Sequence, residues 1–131
     1  SPEQAARLSA ELDKPSFYDG VVQHLFVSQD GNAANCPAPQ LLSPHSADAA
    51  IQERWKRVYQ DVNTHWQLYE LGEKLMDLED YFRRWRFNHV TTVERVIGFK
   101  RGTGGTAGVD YLRRMLSVVL FPELWNLRGE L

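Results

Sequence analysis

A single cysteine, Cys36, among 131 residues leaves no partner for an internal disulfide and no CxxC pair for a structural zinc. A reducing, cytoplasmic setting is compatible with that count. Charge of one sign is also missing: 15 basic and 17 acidic side chains give a formal −2, so nothing global favours nucleic acid or an anionic membrane surface as a partner. No run approaches the ~18 consecutive apolar residues that a membrane helix needs. The opening Ser1-Pro2-Glu3-Gln4 does not have the basic-then-apolar layout of a secretory signal. It also has no initiator methionine, which leads to the expectation that the chain was processed or is one piece of something longer. What is present, 43% hydrophobic and 24% charged residues, is the composition of an ordinary globular domain.

Helix breakers gather in two places. Pro37, Pro39 and Pro44 fall with Gly31 and several Asn and Ser residues in 28–46, which reads as loop or linker, and Gly102, Gly104, Gly105 and Gly108 crowd into a glycine-rich loop at 102–108. Between and around them the apolar spacing is helical. It predicts short helices over 3–12 and 15–28, the second with Phe17, Val21, Leu25 and Phe26 on one side. A third follows over 47–60 with Ile51, Trp55, Val58 and Tyr59, and a last helix over 107–120 stops at Phe121-Pro122. From Thr64 to Gly98 no proline intervenes and only Gly72 weakens the pattern, so 64–98 reads as one long helix. Acids lead its first half and bases its second, the polarity that suits a helix dipole, and Glu70/Lys74, Glu79/Arg83 and Asp80/Arg84 are spaced as i,i+4 pairs. No segment calls for a strand. The fold class is therefore all-α, a helical bundle with one long central helix. At ~1.5 Å per residue that helix extends ~50 Å, beyond the ~36 Å diameter implied by the ~14 Å radius of gyration of a compact chain this long. Its stripe is thus expected to bury itself against other chains or a further part of the same protein.

Leu68, Leu71, Leu75, Leu78, Phe82, Trp85, His89, Thr92 and Val96 form an unbroken 3,4 spacing in which only His89 and Thr92 are polar. An imidazole in a buried seam costs free energy unless something binds it. By default such a histidine is a hydrogen-bonded core residue. The alternative is a ligand role: the four histidines are separated by 21, 20 and 24 positions, which excludes the HExxH or short HxxxH spacing of a helical zinc pair. A haem iron asks only one proximal nitrogen on a rigid, apolar-walled element. Arg86, at i−3, could serve a carboxylate at the rim of such a pocket. The glycine loop satisfies GxGxxA from Gly102 to Ala107, but a dinucleotide fingerprint needs a preceding strand, and a long helix precedes this one. It is either a plain connection or a clamp in which free amides, the Thr103 and Thr106 hydroxyls, Lys100 and Arg101 meet an anionic or polar group. Arg83-Arg84-Trp85-Arg86 resembles a phosphate-gripping patch, yet Arg83 and Arg84 have acidic i−4 partners and the chain is acidic overall. Neither Cys36 nor Ser117 has the neighbours of a nucleophile.

Longer stretches carry a resemblance. His65-Trp66-Gln67-Leu68-Tyr69-Glu70-Leu71, Trp85-Arg86-Phe87-Asn88-His89, Val93 through Gly105 (VERVIGFKRGTGG) and Phe121-Pro122-Glu123-Leu124-Trp125 closely resemble bacterial tryptophan 2,3-dioxygenases, and 15–63 do so more loosely. The resemblance implies an all-helical, homotetrameric, oligomeric haem-binding fold of which 1–131 is the C-terminal part of a single domain. It implies a haem b enzyme that converts L-tryptophan and O2 to N-formyl-L-kynurenine, the first step of tryptophan catabolism by the kynurenine pathway. His89 would be the axial ligand of the haem iron, Thr103 would hold the substrate ammonium beside a haem propionate, and Gly104 would join His89 and Thr103 in binding the cofactor. The family's distal histidine, its carboxylate-binding arginine and most of its aromatic pocket belong to an N-terminal half with no counterpart here. No catalytic residue is therefore expected in this portion, which would not turn over alone. Thr106-Ala107 stand where the family commonly has two serines. Two other readings stay open: a related haem-dependent oxygenase of another aromatic substrate, and a helical assembly module without cofactor.

Overall fold

The computed structural model describes residues 1–12, 14–38, 47–98 and 108–131. Six helices run in order, α1 (Pro2–Leu12), α2 (Phe17–Asp30), α3 (Ala49–Gln60), α4 (Trp66–Ile97), α5 (Gly108–Met115) and α6 (Pro122–Asn126), and a 3-10 turn (Leu127–Glu130) closes the chain. Among the described residues there is no strand. The chain forms two compact units, Ser1–Gly72 with Phe121–Leu131, and Glu73–Leu120.

Local chemistry sets most boundaries. Ser16 and Asp19 close a capping box at the start of α2. That helix runs two residues past its expected end at Ser28 because Gln29 Nε2 donates to the Arg54 carbonyl (3.0 Å) and Arg54 Nη1 donates to Asp30 (2.6 Å). Gly31, at φ 81° and with its N–H on the Val27 carbonyl, then ends it in the left-handed conformation that glycine adopts without strain. The Asp48 carboxylate caps α3 by accepting from the amides of Ala50 and Ile51. At the end of α4, Gly98 takes φ 61° and donates to the Glu94 carbonyl. The last expected helix, 107–120, ends earlier, at Met115: the N–H groups of Leu116, Ser117 and Val118 turn back on the carbonyls of Arg113, Arg114 and Met115. The short α6 was not anticipated. Pro122 opens it, and its first turn is tied back by the Leu124 and Trp125 amides on the Phe121 carbonyl.

The first unit is built on Leu25, Phe26, Trp55, Val58, Leu124 and Leu127, all essentially without solvent contact. Through it runs a buried polar chain. Trp55 Nε1 donates to the Tyr18 hydroxyl (3.1 Å), and that hydroxyl donates to Oε2 of the fully buried Glu123 (3.4 Å), which links three side chains across the core. Gly72 belongs to the same core. A Cβ there would stand 2.9 Å from the Tyr59 hydroxyl oxygen, 3.0 Å from Trp55 Cζ3 and 3.5 Å from Leu124 Cδ2. The residue that weakens the helical pattern is what lets α4 approach Trp55 and Tyr59.

Gly72→Ala is accordingly expected to destabilise the fold by about 1–3 kcal/mol through overpacking, although alanine is the better helix former. A urea unfolding curve for the variant, shifted to a lower midpoint, checks this.

Candidate functional site

The second half of α4 carries two parallel stripes, one residue and so ~100° apart. The stripe that faces the interior of its unit holds Glu79, Arg83, Arg86, Val90, Val93, Glu94 and Ile97, with Glu79 fully buried and Val90 nearly so. The apolar stripe of Leu78, Phe82, Trp85, His89, Thr92 and Val96 is exposed, Trp85 at 53% and Val96 at 77%. The expectation that His89 sits in a buried seam is thereby corrected for this chain. The stripe is as apolar as the spacing indicates, but among the described residues it faces outward beyond Leu75.

Polar bonds made by the neighbouring stripe explain why. Arg86 Nη1 donates to the carbonyls of Met115 (2.9 Å) and Val118 (3.0 Å), and the Leu120 N–H donates to Glu79 Oε2 (2.7 Å). Arg113 on α5 pairs with Glu94 through both Nε and Nη2. Contacts 94 to 113, 86 to 115 and 118, and 79 to 120 step in opposite senses along the two segments, so the returning segment runs antiparallel to α4 on that face. The fully buried Glu79 carboxylate cannot be left without its amide cheaply, and bonds to charged groups such as the Arg86 guanidinium are the stronger ones, whereas an apolar face can wait for another surface. Arg86, expected at a pocket rim, is instead half-buried and committed to two carbonyls. Glu79, expected to pair with Arg83 at i,i+4, is a buried anchor that retains Arg83 Nη2 at 3.8 Å. Asp80 and Arg84 do pair (2.7 Å), while Glu70 and Lys74 do not close among the described residues.

On the exposed face, the His89 ring lies flat on the Trp85 ring, with centroids 5.0 Å apart and planes 8° from parallel. Its two nitrogens have no hydrogen-bond or ion-pair partner among the described residues. Phe82, Tyr81 and Phe87 are exposed nearby along the helix. Thr92 is satisfied by donating to the Asn88 carbonyl (2.9 Å). Among the described residues no three His, Cys, Asp or Glu side chains converge on a common point. A metal at His89 would take one nitrogen from this face and its other donors from a group that brings its own. An exposed imidazole on an aromatic face, with ring nitrogens unengaged among the described residues, fits a planar macrocycle carrying an iron. Thr103, Gly104 and all but the last residue of the 102–108 loop lie outside the described residues.

Two other concavities lie in the first unit. One, of about 390 Å³, is lined by Tyr18, Asp19, Cys36, Asp48 and Ile51 among others. Burial, and then the Asp19 and Asp48 carboxylates, push the Cys36 thiol above its ordinary pKa, which disfavours the thiolate a nucleophile needs. The other, of about 100 Å³, lies between His24, Ser28 and 64–68. No helix among the described residues is long and apolar enough to cross a membrane.

Comparison with known proteins points to one family. A profile of the tryptophan 2,3-dioxygenase family matches residues 5–131. The chain is 72% identical over 130 residues to the tryptophan 2,3-dioxygenase of a Ruegeria species, covering 99% of this chain and 47% of that protein. Identity is 63% to the enzyme of that name from Ruegeria pomeroyi (99% and 46%) and 54% to tryptophan 2,3-dioxygenase 1 of Ralstonia nicotianae (99% and 44%). The chain spans about half the length of the curated relatives it matches.

Arg86→Ala should cost about 2 kcal/mol, the scale of hydrogen bonds to a charged donor. Amide hydrogen exchange that accelerates at 115–120 while α2 and α3 keep their protection would locate the loss.

Proposed function

This chain belongs to the tryptophan 2,3-dioxygenase family, and from that premise we propose that it is the C-terminal portion of a single-domain haem dioxygenase acting on L-tryptophan and O2. His89 provides the axial nitrogen for the iron of haem b. The supporting observation is the state of that imidazole: it stands on an exposed aromatic face of a rigid helix, stacked on Trp85, with neither nitrogen engaged among the described residues. A core histidine would be buried and bonded. This one is exposed, and among the described residues it is not bonded.

The chemistry that haem supplies when bound is activation of O2, both atoms of which enter the substrate across the indole C2–C3 bond to give N-formyl-L-kynurenine. The residues of this chain bind and orient. His89 offers a neutral nitrogen on an element stiffened by the polar clasps along α4. Phe82, Trp85 and Val96 form an apolar wall that excludes water from the cofactor face once it is covered. Thr103 would hold the substrate ammonium beside a haem propionate, and Gly104 would join it in binding the cofactor, as the family resemblance implies. The face of α4 that is exposed here is covered in the assembled enzyme, a homotetramer, by the remainder of the protein and its neighbouring subunits.

In the full-length protein, His89→Ala is expected to abolish or displace the Soret band of the reconstituted ferric form, and an unchanged spectrum would remove His89 as ligand. Thr103→Ala is expected to leave that band in place and raise KM for tryptophan. Should the wild-type protein consume O2 with tryptophan and release no N-formylkynurenine, a related oxygenase of another aromatic substrate takes the place of this reading.

A further inference from the structure

We infer that Trp85 is a positioning residue for the axial imidazole, holding the plane of the His89 ring by stacking where a hydrogen bond would ordinarily do so. The inference rests on the reading of His89 as the haem ligand. In most metal sites the second ring nitrogen of a ligating histidine is held by a carboxylate, a backbone carbonyl or water, and that partner sets the ring's orientation. His89 has no such protein partner among the described residues, and its polar neighbours are engaged elsewhere. Arg86 is bound to the Met115 and Val118 carbonyls, Thr92 to the Asn88 carbonyl and Glu94 to Arg113. The ring that lies against His89 is the indole four residues earlier, one turn away on the same face.

The geometry of that contact differs from that of three other ring pairs among the described residues. Tyr18–Phe121, Tyr59–Tyr69 and Tyr81–Phe82 meet at 51°, 67° and 72°, the tilted and edge arrangements common to aromatic pairs, while Trp85 and His89 lie within 8° of parallel. Neither ring is wedged by core packing, since both are exposed. A parallel stack touches the π face of the imidazole and leaves both nitrogens, which lie at the ring edge, open. It therefore restrains rotation about the Cβ–Cγ bond without occupying the lone pair that a metal needs. The azimuth of an axial imidazole governs the anisotropy of the iron's electronic environment and how readily the bond to it is lost, so the indole acts on the cofactor through His89 and not by touching substrate.

The test uses the full-length haem-loaded protein with Trp85→Phe, which keeps an aromatic face, and Trp85→Leu, which keeps apolar bulk without one. Haem transfer to an excess of apo-globin and the g-value spread of the ferric electron paramagnetic resonance spectrum are measured on each. Trp85→Leu is expected to release haem about tenfold faster, the lower end of the effect of losing a supporting partner at a metal site, and to change the g-values. Trp85→Phe should stay near wild type in both. Wild-type behaviour of Trp85→Leu, or equal losses in the two variants, would overturn the stacking role, and Trp85→Met replaces the leucine variant should it not fold. An unchanged Soret band in His89→Ala would instead remove the ligand reading beneath the inference, so the two failures are distinguishable.

Discussion

One guanidinium decides which side of the long helix looks outward. Arg86 donates from a single nitrogen to two carbonyls of the segment that returns from α5, and with Glu79 and Glu94 it fastens that segment along one face of α4. The apolar stripe one residue behind is left bare as a result. Hydrophobic burial is larger in total but has no direction, whereas a charged group tied to backbone atoms tolerates only one register. The site reading depends on this order of precedence, because it presents His89 and Trp85 together on an uncovered face.

The first unit obeys the same logic with the polar bonds turned inward. Trp55, Tyr18 and Glu123 bring three polar groups into an otherwise apolar core, and the two bonds linking them join α2, α3 and α6. Gly72 lets α4 lie against Trp55 and Tyr59 at a distance that no larger residue permits.

Much of this was legible from residue order. Helix type, the stop at Gly98 and the length of α4 follow from local rules, and the chemistry of the His89 stripe was visible as a polar ring among apolar positions. What periodicity reports is that a face is apolar, not what lies against it, so His89 was placed inside when this chain leaves it outside. The early end of α5 could not be read locally, since it is marked by a bond from Arg86, 29 residues away along the chain. The i,i+4 spacing of Glu79 to Arg83 is legible but says nothing of burial, and the Leu120 amide that Glu79 accepts from lies 41 residues on. Thr103 and Gly104, named from the resemblance, lie outside the described residues.

The clasps on α4 grip main-chain atoms: two carbonyl oxygens at Met115 and Val118 and one amide at Leu120. A strap held by its backbone is indifferent to the side chains it wears, so evolutionary drift is free to reshape 115–120 while Arg86 and Glu79 stay put. Proline at position 120 breaks that freedom, by deleting the hydrogen that Glu79 accepts.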